Sequence, residues 1–206
     1  MTAAPPTSWL GELGRKGIHL GSALFPIALA FSWVPRPVVL TTLALGLSLA
    51  VVIETGRRWN PAIQRWFLGW FGWMLRAHER SHLTGASWIL LAMFLAVWLL
   101  PLPVAITALW AAVVGDTAAA LVGRSVAQLS GHAAGTKTWS GSLACVIASA
   151  VGPVWLVGAS LGAALLIGVA AAIAERPALR LDDNVRVAFG AGATAWVLFA
   201  LGRFPL

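Results

Sequence analysis

The chain has 206 residues, of which 59% are hydrophobic and only 10% charged, and its mean hydropathy is +0.84. A soluble domain carries about 25% charge, so a water-facing globule is excluded and an all-α integral membrane protein is expected, because in lipid only helices or closed barrels satisfy the backbone. The formal charge of +7 sits in short loops beside apolar runs, which assigns it to topology and anionic headgroups rather than to nucleic acid.

Apolar runs at 17–33, 38–53, 83–100, 104–122, 141–158, 160–174 and 185–201 predict about seven transmembrane helices in one polytopic domain over 1–206. Arg15 and Lys16 before the first run, with Ala28, Leu29 and Ala30 further on, also fit a cleaved signal peptide. The polar stripe Arg15, His19, Ser22 on that run argues against it. With the N-terminus cytoplasmic, Arg15, Lys16, Arg57, Arg58, Arg65, Arg76, Arg80, Arg124, Lys137, Arg176, Arg180 and Arg186 fall inside, and only Arg36 and Arg203 outside. Glu12, Glu54, Glu79, Glu175, Asp182 and Asp183 share that side. Acids contribute little to topology, so either loop charges simply pair or a polar site lies on the cytoplasmic face of a multi-pass cell-membrane protein.

Between the second and third runs, Ile63, Trp66, Phe67, Trp70, Phe71 and Met74 recur at helical spacing, opposite Arg65, Gly69, Gly72, Arg76 and Glu79. This predicts one amphipathic interfacial helix over 59–80, serving as an anchor or as a lateral gate for an amphiphile.

Asp116 stands inside the fourth run. A carboxylate there faces a cavity or a cation, so it reads as a functional acid or as half of a structural pair with an arginine. Its helical face, Asp116, Ala119, Ala120 and Gly123, is a lane of small side chains. A glycine-punctuated loop over 123–142 carries Arg124, Lys137, Thr138, Gly141 and Ser142. Such loops turn N–H groups and a lysine toward phosphates, although this one lacks the P-loop spacing. Asp182, Asp183 and Asn184 open the last run and serve as hard oxygen ligands for Mg²⁺, as a helix cap, or as both. Glu54 with Arg57 forms an i, i+3 pair, and Thr84 to Ser87 starts the third run with small and hydroxyl residues. The single cysteine, Cys145, has no disulfide partner, and no His/Cys metal motif, G-x-S-x-G or G-x-G-x-x-G occurs. Carboxylates, cations and glycine turns suit phosphoryl transfer, in which positioning and charge neutralisation carry the catalysis.

Six motifs then stand in order: Arg15-Lys16-x-x-His19; Glu54-x-x-Arg57; His78-Glu79 with Leu83-Thr84-Gly85-Ala86-Ser87; Gly115-Asp116-x-x-Ala119 with Gly123-Arg124; Lys137-Thr138-x-x-Gly141-Ser142; and Asp182-Asp183-Asn184. The set resembles the CTP-dependent lipid kinases (dolichol kinase, phytol kinase and yeast-type diacylglycerol kinase), a family related to CDP-diacylglycerol synthases. Ser140 stands where relatives often carry an acid, and Val185 to Ala188 occupy a stretch where they often have a proline.

The resemblance implies a kinase that moves the γ-phosphate of CTP to the hydroxyl of a polyprenol, phytol or diacylglycerol. It implies Mg²⁺ on Asp116 with Asp182 or Asp183. Phosphates fall to Arg124, Lys137, Thr138, Gly141, Ser142, Arg15 and Lys16. Catalytic duties fall among Asp116, Lys137, Asp183 and His19, and a further polar site comprises Glu54, Arg57, Glu79, Thr84 and Asn184. A cytidylyltransferase releasing pyrophosphate and a small non-enzymatic membrane transporter are the alternatives.

Overall fold

A computed structural model describes residues 9–131, 137–176 and 181–205. Residues 132–136 of the expected nucleotide loop, and Arg180, lie outside them. Among the described residues every regular element is helical. Each of the seven apolar runs falls on helix, and among the described residues three helices are long and apolar enough to cross a membrane: Arg36–Trp59, Leu102–Leu129 and Trp139–Val157.

The first run is not one helix. It divides into α1 (Trp9–Gly21) and α2 (Leu24–Ala30). Pro26 has no N–H to return to the Ser22 carbonyl and its ring crowds it. The chain turns there instead, with the Ser22 hydroxyl bonded to the His19 carbonyl at 2.5 Å. α3 (Arg36–Trp59) starts on a proline-assisted turn and runs 24 residues, about 36 Å at helical rise. It buries only Val39, Leu43, Glu54 and Arg57, as befits a helix with a lipid-facing wall.

The interfacial helix expected over 59–80 is shorter and changes direction. α4 spans Pro61–Phe71, with Asn60 accepting from the Ala62 N–H at 2.8 Å as its cap. A turn and a 3₁₀ segment at Ala77–Arg80 follow. Gly69 and Gly72 weaken helix continuation. The bend also overturns the expected polar face: Glu79 is buried and Arg76 turns toward the interior, while Trp66 and Trp70 stay exposed.

α5 (Gly85–Leu99) is capped by Thr84. α6 (Leu102–Trp110), a π-turn at Ala111–Gly115 and α7 (Asp116–Leu129) form one continuous rod. That rod is the core: every residue from Val104 to Val113 is buried. α8 (Trp139–Val157) begins on the Thr138 cap and ends at Gly158, whose φ of +71° suits a residue without Cβ. α9 (Leu161–Glu175) and α10 (Asp183–Ala200) complete the bundle. The Trp110 indole donates to the Ala148 carbonyl at 2.8 Å, joining the rod to α8.

Candidate functional site

The polar residues gather where α1, the α4–α5 connection, α7 and the start of α10 come together. On α1, Glu12, Lys16 and His19 recur at i, i+4 and i+7, one helical face. That face docks on the central rod through charge. The Lys16 ammonium bonds Asp116 Oδ2. The His19 Nε2 lies 3.0 Å from the Ala112 carbonyl and 3.9 Å from Asp116 Oδ2. Glu12 holds Arg15 at 2.5 Å and faces Arg124 at 3.5 Å. A carbonyl only accepts, so His19 Nε2 carries the proton in its bond to Ala112. The π-turn supplies the geometry: its wider coil loosens the helical ladder just before Asp116, where Ala112 O takes the imidazole donor. The expected partner of Asp116 was an arginine or a metal; in the structure it is Lys16.

Glu54, Arg57, Glu79 and Thr84 form a clamp. Glu54 accepts from the Arg57 Nη2 at 2.6 Å, the Thr84 N–H at 2.9 Å and the Ser87 hydroxyl at 3.2 Å. Glu79 accepts from the Gly85 N–H at 2.7 Å and the Arg76 N–H at 2.6 Å. Two carboxylates thus satisfy N–H groups where α5 begins, the end of a helix that favours negative charge. Arg57 also donates to the Glu79, Arg80 and His82 carbonyls. These residues fix the frame of the site.

At the start of α10, Asp182 Oδ1 accepts from the Asn184 N–H at 3.0 Å and from its amide at 2.7 Å. The helix-cap reading therefore holds. Burial, and then the neighbouring Asp183 charge, push the Asp182 carboxyl up to about 6. Asn184 Oδ1 is buried with no hydrogen-bond partner. Two crowded carboxylates beside an orphaned amide oxygen match the hard donors of a Mg²⁺ site completed by phosphate oxygens. Among the described residues, however, no three His, Cys, Asp or Glu side chains cluster to hold a metal by themselves. The expected trio divides: Asp116 is occupied by Lys16, and Asp182 with Asp183 stands apart.

The 123–142 loop residues are tied into packing. Thr138 accepts from the Gly141 N–H at 3.1 Å, and the Ser142 hydroxyl donates to the Thr138 carbonyl at 3.3 Å. A Cβ on Gly141 would stand 2.8 Å from the Ala119 carbonyl and 3.1 Å from Gly123 Cα, so the expected lane is filled by α8 crossing α7. The Arg124 guanidinium stacks 5.1 Å from the Trp9 ring. Lys137 pairs with the buried Glu175 carboxylate and lies within electrostatic reach of Asp183 and Asp116.

Two cavities border these groups. One, about 610 Å³, has polar walls that include Arg58, Arg76, His78, His82, Arg186, Asp182 and Asp183. The other, about 380 Å³, is walled by Ile18, Ile53, Phe67, Phe71, Met74, Leu75 and Ile89. Its polar rim carries Arg15, Lys16, His19, Glu54, Arg76, Glu79, Thr84, Asp183 and Asn184. Arg76 and Asp183 line both. Sequence reasoning overlooked Arg76 and Glu175 as site residues. Glu175 was detectable as an ionisable group closing an apolar run, but Arg76 carried no signal beyond its charge. No protein-family profile, curated protein or solved structure matches the chain.

Proposed function

We propose that the chain is a multi-pass cell-membrane kinase that moves the γ-phosphate of CTP to the hydroxyl of a lipid alcohol of the polyprenol, phytol or diacylglycerol class. The observation that carries this reading is a polar, cation-lined chamber and an apolar chamber that share Asp183 and Arg76 in their walls. Phosphoryl transfer between a soluble triphosphate and an amphiphile needs such a pair of adjoining spaces. The one-sided charge supports a seven-span arrangement with a cytoplasmic N-terminus and the polar chamber on the cytoplasmic face. The choice of CTP rests on the resemblance of the ordered motifs to CTP-dependent lipid kinases.

In this reading the triphosphate lies along Arg58, His78 and His82. The lipid chain lies along Phe67, Phe71 and Met74, with its hydroxyl at the rim beside His19. The His19 Nε2–H is committed to the Ala112 carbonyl, which leaves Nδ1 to accept the hydroxyl proton. The alcohol oxygen bonds to the γ-phosphorus as the bond to the β,γ-bridging oxygen breaks, and CDP departs through the polar chamber. Asp116, 3.9 Å from Nε2, stabilises the resulting imidazolium and so acts as a positioning residue. Asp182, Asp183 and the Asn184 amide oxygen would hold Mg²⁺. When bound, that ion neutralises charge on the β- and γ-phosphates.

The test is a matrix of CTP, UTP, ATP and GTP against phytol, polyprenol and diacylglycerol, using purified protein and mass spectrometry of the products. A lipid monophosphate with a nucleoside diphosphate is expected. A CDP-lipid with pyrophosphate identifies a cytidylyltransferase instead, and unchanged substrates remove enzymatic readings altogether.

A further inference from the structure

Other cations around the site are already engaged. Arg15 has Glu12, Lys16 has Asp116, Arg57 has Glu54 and Lys137 has Glu175. Arg186 is spent on the Leu181, Ala174 and Glu175 carbonyls. Arg76 differs. Among the described residues no carboxylate comes within ion-pair distance of its guanidinium.

Its backbone, by contrast, is fixed. The Arg76 N–H donates to Glu79 Oε2 at 2.6 Å, and the Arg76 carbonyl accepts from the Glu79 N–H at 3.0 Å. Glu79 is itself pinned by Gly85. A rigid root therefore carries a guanidinium that lines both chambers. Asp183, Glu79, Glu12 and Asp116 act on it electrostatically from beyond contact distance. Guanidinium presents a planar fork of N–H donors that matches two oxygens of one phosphoryl group, which an ammonium cannot do.

We infer that Arg76 is the side chain that grips the phosphoryl group in transit, binding its equatorial oxygens as it leaves the polar chamber for the lipid hydroxyl. This role rests on the kinase reading above and adds a catalytic residue to it. Because charge spreads over those oxygens most fully in the transition state, the contact strengthens during transfer rather than on substrate binding.

The experiment compares wild type, Arg76→Ala and Arg76→Lys in donor-to-lipid transfer, with thermal melting as a folding control. Arg76→Ala should lower kcat by about 10²- to 10³-fold while KM for nucleotide and for lipid stays near wild type. Arg76→Lys should recover only part of the rate. Free guanidinium ion, added to Arg76→Ala below denaturing concentration, should restore turnover, a signature that a purely structural role does not give. A rise in KM for nucleotide with unchanged kcat overturns the role, as does wild-type turnover in Arg76→Ala. A loss of rate that tracks a lowered melting temperature and resists guanidinium overturns it too. Transfer by the wild type with an indifferent Arg76→Ala sinks the role alone; no transfer by the wild type sinks the kinase reading with it.

Discussion

Lys16 of α1 reaches across one hundred positions of chain to bond Asp116 at the head of α7. Both side chains are almost wholly buried, so the pair is sealed from water. Removing one member of such a pair strands the other charge, whereas removing both costs far less. Asp116→Asn should therefore destabilise the fold by about 3 kcal/mol or more and abolish transfer. The double variant Lys16→Met with Asp116→Leu should melt near wild type yet remain inactive. Thermal melts in detergent, paired with a transfer assay, check both halves.

The Glu54–Arg57 clamp makes a different prediction. Arg57 anchors three carbonyls as well as Glu54, and its guanidinium sits over Phe67 at 5.0 Å. Arg57→Ala should cost about 3–5 kcal/mol and lower activity only in proportion to the folded fraction. Activity per folded molecule, with folded protein quantified by size-exclusion chromatography, is the measurement; a specific loss would assign Arg57 to the chemistry instead.

Asp182 predicts a pH dependence. Its folded-state pKa of about 6 lies above the ordinary carboxylate value. Between that ordinary value and about 6, the folded chain holds a proton that the unfolded chain has released, so metal-free stability falls as pH rises through this window. Asp182→Asn keeps a capping oxygen and removes the titrating charge. In chelator, melting temperature should decline with pH for wild type and decline less for the variant. Mg²⁺ competes with the same proton, so in wild type its stabilising effect should fade as pH drops below about 6.

The apolar chamber can be filled on purpose. Met74 stands in its wall with Phe67 and Phe71. Met74→Trp should raise KM for the lipid by about tenfold or more, since small volume changes in an apolar pocket are worth roughly 1–3 kcal/mol. KM for nucleotide should not move. Steady-state kinetics with each substrate varied in turn give the answer, and an equal rise for both would deny that the two spaces are separate.

Much of the fold was legible because apolar runs bounded by capping residues specify helices locally. Thr84, Thr138, Ser160 and Asp182 each cap the helix that follows. The break after Gly21 was encoded by Pro26, yet the surrounding apolar run masked it. The site was less legible because its pairings are tertiary. Nothing near Lys16 names Asp116, and nothing near Lys137 names Glu175. Gly141 illustrates the opposite error: a glycine that suggested a phosphate loop is small because α7 packs on it. Arg76 and Glu79 were placed opposite the apolar side of a single helix by extending helical periodicity through Gly72, where the helix has already ended.

The most direct test of the account is the fate of label from CTP. Protein in lipid nanodiscs is given a lipid alcohol and CTP labelled at either the α- or the γ-phosphate, and the lipid fraction is extracted and counted. The account predicts γ-label in the lipid and none from the α-position, with CDP as the co-product. Label from the α-position in the lipid, or no label at all, contradicts it.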